Sequence, residues 1–519
     1  MARDRRSIAA FPTPSFLHTE ALMRIPTRLL VLPLLIVYSQ RAGLGAQIQP
    51  AHAPARAAAD SMPVSVRWNR LVPRLVDENT ARRRAARKAA AGDSAALRRL
   101  AQTPPPILFR VYTLLSVAQY AAVNSARDDR AVSPDVAVAA ASAAVLTEVF
   151  TDSAVRASIA RELARDLEQA RTGARGAERA MAGRRLGEDV ASRVMAWAPP
   201  PPNFAAPWKG TVPTGPGMWY SAPGIPPIGI FLVHARPWLL DSASQFRPGP
   251  PPAYGSPVFQ TALEEVRQVA RNRTSEQTKV AQQWNSADPW ARWNDVASAA
   301  IRRTRLSDAD AARVLAVLNA AASDAVIACF EAKYHYWSIR PSQADTTIVL
   351  ADSVDLPNFP SYPSGHACSA GAFDAVLGHF FPQERAEFTR IAEEQAMSRL
   401  YGGIHYRFDD DGGLALGRLV ARYAVERERR GGLSAWRNAR AEGSASGRLR
   451  SDSHAACSCH VSGAGGATNR LDRRSYECAS ASNRASLPGS PTNEILPAGI
   501  PSTPKPVGTE TSGSPSQFP

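Results

Sequence analysis

The sequence has 519 residues, of which 45% are hydrophobic and 21% are charged, and its formal net charge is +15 at pH 7. This composition is that of a globular protein and excludes collagen, a coiled coil and a chain that is disordered throughout. The charge is unevenly distributed: residues 1–110 carry 18 Lys and Arg against 6 Asp and Glu, whereas the positive and negative charges of residues 111–430 cancel. A neutral body with a basic N-terminal arm does not match a groove for nucleic-acid phosphates, so we expect no nucleic-acid partner.

The first 46 residues have the pattern of a secretory signal peptide. Arg24 and Arg28 precede the uninterrupted apolar run 29–38, and small residues follow through Ala46. The run has about ten residues, whereas a membrane span needs about twenty. We therefore predict a signal region at 1–46, with Met23 as an alternative start, export to the periplasm or the extracellular space, and no integral membrane span in the mature protein. The five cysteines are too few, and odd in number, for a disulfide framework.

The fold is predicted to be all-α, because alternating β patterns are scarce and apolar residues recur at helical spacing. The helices predicted on this basis are, in chain order, 82–100, 107–126, 134–150 and a long pattern over 157–195. Thr274 and Gln277 have the spacing of a capping box and predict a helix that runs toward Trp284. The irregular stretch 199–257 is rich in Pro, Gly and aromatic residues, which is typical of the wall or lid of a functional site.

These features divide the chain beyond the signal region into four parts. We predict a basic arm with an N-terminal helix, a helical part with Pro-rich loops, a catalytic helical core, and a low-complexity tail that is disordered, at 47–104, 105–260, 261–430 and 431–519 respectively.

Three short segments of the core contain the residues that could carry out a reaction. They read Lys333-x6-Arg340-Pro341, Pro363-Ser364-Gly365-His366 and Ser398-Arg399-x5-His405-x3-Asp409. Eleven residue identities at fixed spacing would not coincide by chance.

The cations of these segments suit a tetrahedral oxyanion. Such an anion, taken out of water, needs several fixed positive donors, and Lys333, Arg340 and Arg399 supply them. Lys333 and Arg340 are seven residues apart, which predicts one face of a helix that ends near Pro341. Ser364 and Gly365 precede an apolar stretch, so their backbone amides are expected at a helix N-terminus, which is an anion-binding position.

The two histidines are expected to have different roles. His405 and Asp409 have the spacing of one helical turn, so that the carboxylate would orient a neutral imidazole as a nucleophile or metal ligand. His366 lies at the start of the helix predicted after Ser364 and Gly365, where it is placed to exchange a proton with the apical oxygen of the anion.

The three segments resemble the signature motifs of the superfamily of type 2 phosphatidic acid phosphatases and vanadium-dependent haloperoxidases. The resemblance covers about residues 105–425, and the run 405–409 is similar to that of the soluble bacterial haloperoxidase-like branch. It implies a helical bundle with long Pro-rich loops and an oxyanion bound by the five residues Lys333, Arg340, Ser364, Gly365 and Arg399. It also implies that His405 is the nucleophile that attacks phosphorus or the axial ligand of vanadium.

The resemblance implies two alternative chemistries for one site. A haloperoxidase would use vanadate as cofactor and hydrogen peroxide and halide as substrates, with Lys333 polarising the peroxide and Phe330 and Phe359 beside the halide. A secreted acid phosphatase would need no cofactor and would hydrolyse a phosphomonoester through a phosphohistidine on His405. The residues that flank the three segments favour the haloperoxidase. Cys329, one turn before Lys333, favours the second because peroxide oxidises thiols, whereas Cys368 is expected to point away.

Two readings outside enzyme chemistry remain open at this point. The protein could be an exported module that only binds oxyanions, or an envelope-associated interaction protein that uses its basic arm and Pro-rich tail.

Overall fold

The structure, a computed structural model, describes residues 62–91, 93, 107–173, 175–200, 208–221, 225–286 and 288–437. Within these ranges every regular element is helical, and one isolated β-bridge joins Met218 to Ser338. The all-α prediction is therefore confirmed. The predicted signal region 1–46 and the chain from residue 438 onward lie outside the described residues.

The α-helices are numbered in chain order. They are α1 (Val64–Asn69), α2 (Val72–Ala89), α3 (Leu108–Ala126), α4 (Pro134–Val149), α5 (Ser153–Gln169), α6 (Gly176–Trp197), α7 (Pro257–Asn272), α8 (Ser275–Ser286), α9 (Pro289–Thr304), α10 (Asp308–Tyr336), α11 (Pro341–Ala344), α12 (Gly365–Phe380), α13 (Arg385–Tyr401) and α14 (Arg407–Arg429). Short 3-10 helices span Ile230–His234, Pro382–Glu384 and Gly432–Arg437.

Side-chain caps mark where many of these helices begin. The first-turn N–H groups of five helices donate to an oxygen of the preceding residue, which is Ser133, Asp152, Ser256, Asp288 or Ser307. The capping box predicted for α8 is confirmed, since Gln277 N donates to Thr274 Oγ1 at 3.1 Å and Thr274 N donates to Gln277 Oε1 at 3.0 Å. Such caps satisfy amides that have no partner inside the helix.

Helix α10 lies at the centre of the bundle. It packs against α3, α12 and α14, and almost all of its side chains from Ala311 to Tyr334 are buried. By length and composition it could cross a membrane, but 94% of its apolar window is buried inside the protein. One hydrophobic cluster takes side chains from Val66 to Trp436 and joins the N-terminal helices to the C-terminal core.

Helices α12 and α14 approach each other backbone to backbone. A methyl group on Gly417 would overlap the carbonyl of Cys368, and one on Gly371 would overlap the carbonyl of Leu414. The two glycines thus allow a contact that any larger residue would prevent. This contact matters for function because it brings the N-termini of α12 and α14, and the polar segments before them, to the same end of the bundle.

The Pro-rich segment between α6 and α7 is tied to α10. Asp324 is fully buried and accepts hydrogen bonds from the backbone N–H groups of Trp238, Leu239 and Leu240 at 2.7–2.9 Å. Arg247 forms an ion pair with Glu331 on the same helix. The segment is therefore a fixed wall over α10 in its described part.

Three local predictions differ from the structure in their bounds. The helix expected at 82–100 corresponds in its first part to α2, which begins at Val72 with a proline in its first turn and ends at Ala89, whereas residues 94–100 lie outside the described residues. The pattern over 157–195 is two helices, because the chain reverses between α5 and α6, where Gly173 and Arg175 have positive φ angles. The tail expected to be disordered from 431 is ordered to residue 437, where Leu433 and Trp436 are buried in the core.

We expect Gly417→Ala to destabilise the fold. The added methyl group pushes α14 away from α12, and overpacking of this kind costs about 2 kcal/mol of the free energy of unfolding. Urea unfolding followed by circular dichroism measures the change. The control is Gly378→Ala on α12, where the methyl group would meet only the flexible Arg385 side chain, at 3.3 Å. Equal stability of the two variants would contradict the backbone contact.

Candidate active site

Lys333 lies in the last turn of α10 and is fully buried. Its Nζ donates to the carbonyl oxygens of Pro360 and Ser361 at 2.9 and 2.7 Å. Burial lowers the pKa of Lys333 to about 8. The ammonium group thus joins α10 to the loop that leads into α12.

Arg340 reaches the same place by a different route from the predicted one. Helix α10 ends at Tyr336, and Trp337 takes a left-handed conformation, so Lys333 and Arg340 do not share a helical face. Arg340 is instead an extended residue immediately before the one-turn helix α11. The physical reason is that Pro341 disfavours helical backbone at the residue before it.

The Arg340 guanidinium is fully buried and partly without partners. Its Nε donates to Phe359 O at 2.9 Å and its Nη1 to Ile404 O at 2.8 Å, whereas Nη2 has no hydrogen-bond partner among the described residues. Both cations lie over the ring of Phe359, with Lys333 Nζ 5.1 Å and Arg340 Cζ 4.9 Å from its centroid. Burial lowers the pKa of Arg340 to about 10, which leaves it charged at neutral pH.

The N-terminus of α12 faces Lys333. Ser364 precedes the helix, and its N–H donates to Asp409 O at 2.9 Å. The Ser364 hydroxyl is buried without an aligned partner. A methyl group on Gly365 would meet only Lys333 Cε, at 4.0 Å, so this face of Gly365 is open. The helix start predicted for Ser364 and Gly365 is therefore present, and it borders free space beside a cation.

Arg399 supplies the third cation from the last turn of α13. Its guanidinium is held by Ala281 O at 2.9 Å, Asn285 Oδ1 at 3.3 Å and Ser398 Oγ at 3.0 Å. It is 1% exposed, and burial lowers its pKa to about 10.

His405 and Asp409 form a buried pair, but not on one helical turn. Helix α14 begins at Arg407, so His405 lies outside it, and Asp409 folds back to accept the Tyr406 N–H at 3.1 Å. The same oxygen of Asp409 lies 2.9 Å from His405 Nδ1 and accepts the Ser361 hydroxyl at 2.5 Å. The pair thus depends on a capping-box turn, which allows the same contact as a helical turn.

The His405 ring is neutral and oriented. Burial, followed by the positive charges of Arg340, Lys333 and Arg399, lowers its pKa well below the usual range. With Nδ1–H directed at Asp409, Nε2 keeps its lone pair, and this atom lies 3.4 Å from Arg340 Nη1. A neutral imidazole fixed through its other nitrogen can act as a nucleophile or as a ligand.

His366 is the second residue of α12 and is partly exposed at the edge of the site. Its Nε2 lies 3.2 Å from the Trp284 carbonyl oxygen, which sets the tautomer with hydrogen on Nε2. Burial of the ring and the charge of Arg399 lower the pKa of His366 to about 3. The charge of His366 is one of those that lower the pKa of His405, so the two rings lie near each other.

Several residues of the site were not predicted from the sequence. Ser361 bonds to Asp409, and Asn285 and Ala281 hold Arg399 from α8. Their contributions depend on contacts between distant segments, for which the spacing of residues gives no signal.

The prediction that Cys368 points away is wrong. Both cysteines are buried and form no disulfide among the described residues, Cys329 Sγ donates to Pro363 O at 3.5 Å, and the two thiols lie near each other and near the charge of Lys333. The cause is the close packing of α10 on α12, which turns this face of α12 inward.

The arrangement fits a tetrahedral oxyanion. The charges of three buried cations, Lys333, Arg340 and Arg399, all act on His405, and Arg340 Nη2 and the Ser364 hydroxyl have no aligned partner among the described residues. Burying charged and polar groups in this state is costly unless a ligand compensates them. Phosphate and vanadate both have the charge and the oxygen geometry that these donors require.

Two aromatic rings border the space between Lys333, Arg340, Arg399, Ser364 and His405, which we call the cage. Phe330 and Phe359 are partly exposed, and their ring centroids are 5.2 Å apart. Gly229 of the Pro-rich segment approaches the Phe330 ring so closely that a methyl group there would overlap it. The rings thus form an apolar wall beside Lys333 and Arg340.

Comparison with known proteins agrees with this fold. Residues 313–430 match the family model of the PAP2 superfamily. The crystal structure of a bacterial vanadium-dependent iodoperoxidase is similar with a TM-score of 0.54 and 26% identity, over 62% of this chain and 91% of that one. A bacterial vanadium-dependent chloroperoxidase has a similar fold, with a TM-score of 0.50 and 15% identity over 64% and 95% of the two chains.

Curated relatives match over a shorter stretch. Two proteins described as lipid A 1-phosphatase, from Rhizobium etli and Rhizobium johnstonii, are each 42% identical over 59 residues. This stretch is 11% of the present chain, and it spans only about a quarter of the length of each relative.

We expect phosphate affinity to fall as the pH rises above about 8. The cage binds the anion with Lys333 charged, and the pKa of Lys333 in the free protein is about 8. Below that pH the ammonium group is already charged, whereas above it binding must take up a proton, which weakens affinity by up to about tenfold per pH unit.

Calorimetric titration with inorganic phosphate between about pH 7.5 and 9.5 measures this profile. The matched variant Lys333→Met should bind more weakly and without this pH dependence. Parallel profiles for the two proteins would refute the role of Lys333.

Proposed function

Because residues 313–430 belong to the PAP2 superfamily, we propose that the chain is an exported, haloperoxidase-like enzyme that binds vanadate and oxidises halide with hydrogen peroxide. The observation that carries the proposal is the cage itself: buried cations and two donors without an aligned partner among the described residues, Arg340 Nη2 and the Ser364 hydroxyl, around a neutral imidazole. A site with these donors has no other evident occupant than an oxyanion of high charge.

The residues of the cage fit vanadate as a cofactor. Lys333, Arg340, Arg399, the Ser364 hydroxyl and the Gly365 amide would hold its oxygens, and His405 Nε2 would bind its metal. When bound, vanadate supplies a Lewis acid that activates peroxide while the metal keeps its oxidation state. Asp409 fixes the His405 ring through Nδ1.

The chain supplies the polar and apolar surroundings for such chemistry. Lys333 is charged at neutral pH, because its pKa is about 8, and it polarises the oxygens nearest to Nζ. The negative charge of a bound oxyanion opposes the charge of Arg399 at His366, which raises the pKa of this ring and lets it exchange a proton. Phe330 and Phe359 exclude water from one side of the cage.

Two observations favour the haloperoxidase-like reading over a phosphatase. The similarity to the iodoperoxidase extends over 91% of that chain, whereas the similarity to the lipid A 1-phosphatases covers 59 residues. The aromatic wall beside the cations also suits a soft, weakly hydrated halide better than a phosphate ester with a polar leaving group.

The second candidate is a secreted acid phosphatase without a cofactor. It is favoured by the buried pair Cys329 and Cys368 beside Lys333, since peroxide at this place oxidises thiols. In this reaction His405 Nε2 would attack phosphorus, forming an N–P bond as the P–O bond to the alcohol breaks. His366 would give a proton to the leaving oxygen and then take one from the water that hydrolyses the phosphohistidine.

Export belongs to the proposal as well. It is supported by the charged, apolar and small-residue order at residues 24–46. The substrates would then be peroxide and halide, or a phosphomonoester, outside the cytoplasm.

A paired assay tests the two chemistries on one preparation. Aliquots with orthovanadate, peroxide and bromide or iodide are scored for halogenation of an activated ketone, and vanadate-free aliquots for hydrolysis of an aryl phosphate between about pH 4 and 8. We expect vanadate-dependent halogenation. Hydrolysis that vanadate inhibits, without halogenation, would establish the phosphatase instead.

We expect His405→Ala to abolish the activity found in that assay, because no other atom replaces Nε2. Asp409→Asn should be milder, with a loss of about 10-fold to 100-fold, since it disturbs the orientation of the ring and keeps the ring itself. His379→Gln is the control, because His379 is an exposed histidine on α12. A His405→Ala variant with unchanged turnover would sink the assignment.

A further inference from the structure

Asp410 is a buried acid for which the site described above has no role. It lies in the first turn of α14, next to Asp409, and is 2% exposed. Neither of its carboxyl oxygens has an aligned hydrogen-bond partner in the described part of the chain. A carboxyl group buried in this way must either keep its proton or find a donor.

The packing of α14 on α12 places Asp410 against Ser364. The Ser364 N–H donates to the backbone oxygen of Asp409, and a methyl group on Gly413 would lie 2.7 Å from the Ser364 carbonyl oxygen. The Asp410 side chain, between these two contacts on the same helix, interacts with the Ser364 hydroxyl. That hydroxyl is also buried and also has no aligned partner.

The surroundings of Asp410 favour the protonated form of its carboxyl group. Burial is the largest cause, and with the negative charges of Asp409 and Asp411 it raises the pKa of Asp410 well above its usual range. The Ser364 hydroxyl and the positive charge of Arg399 act in the opposite direction and are outweighed. A protonated carboxyl group has an O–H to donate, whereas a carboxylate can only accept.

We propose that Asp410 is a positioning residue that donates a hydrogen bond to Ser364 Oγ and thereby directs the Ser364 hydroxyl proton at the oxyanion in the cage. Without this donor the hydroxyl could turn away from the anion and use its proton elsewhere. With it, the oxygen of Ser364 accepts from Asp410 and its proton is available to the ligand. The inference rests on the oxyanion site of the proposed function, and it holds for vanadate and for phosphate alike.

The test compares two replacements of Asp410 in the full chain, with inorganic phosphate as the calorimetric probe. Asp410→Leu fills a similar volume but cannot donate, and we expect it to weaken phosphate binding by about fivefold, the effect of one hydrogen bond. Asp410→Asn keeps an N–H donor and should bind within about twofold of the unchanged protein. Asp411→Asn, at an exposed neighbouring position, is the matched control and should have no effect.

A double-mutant cycle separates positioning from a general packing role. In a Ser364→Ala background, Asp410→Leu should cause no further loss, because the hydroxyl that it positions is gone. An equal loss in both backgrounds, or Leu and Asn variants that bind alike, would overturn the proposal. If Asp410→Leu fails to fold by its thermal melt, Asp410→Ala takes its place in the cycle with the same expectation.

The oxyanion site and the role of Asp410 can be refuted separately. If the unchanged chain binds no phosphate, the oxyanion site itself is refuted, and the role of Asp410 falls with it. If the unchanged chain binds phosphate and the cycle shows no coupling, only the role of Asp410 is refuted.

Discussion

The burial of three cations around one small space is the constraint on which the rest of the structure depends. Lys333, Arg340 and Arg399 lose their hydration in the fold, and backbone carbonyl oxygens replace only part of it. Asp409 is the ionisable acid nearest to His405, and burial raises its own pKa to about 6. The site therefore carries an excess of positive charge that the proposed oxyanion would relieve, and the specificity proposed for it follows from electrostatics rather than from shape alone.

The bundle keeps this charge in place by bringing helix ends together. Lys333 is at the C-terminal end of α10, Arg399 is at the end of α13, and Ser364 and Asp409 are at the starts of α12 and α14. At such ends the backbone has unsatisfied N–H and C=O groups, which here serve the cations and the anion site. The contact through Gly371 and Gly417 lets α12 and α14 start side by side, so a packing detail remote from the chemistry determines the geometry of the cage.

The sequence predicted the members of the site better than their geometry. Motif spacing identified Lys333, Arg340 and His405 as members of the site, because an oxyanion site needs cations and an oriented imidazole. It placed Lys333 and Arg340 on one helical face and His405 on a helical turn, and both placements are wrong since α10 ends at Tyr336 and α14 begins at Arg407. The predicted all-α class follows from periodicity. Ser361 and Asp410 could not be foreseen, because their partners are close only after α12 and α14 have packed.

One cage could serve the two proposed reactions because phosphate and vanadate have similar charge and present oxygens in a similar arrangement to the same donors. What can separate the reactions is the surroundings of the bound group. Here a neutral His366 lies against the Trp284 carbonyl, and Phe359 covers the flank of the two cations. An apolar flank lowers the local dielectric constant, which strengthens the field of Lys333 and disfavours hydrated leaving groups. The thiol pair next to Lys333 acts against this reading, since a site that handles peroxide must keep it from Cys329. The close packing of α10 on α12, which buries both sulfur atoms completely, is the feature of this chain that reconciles the two.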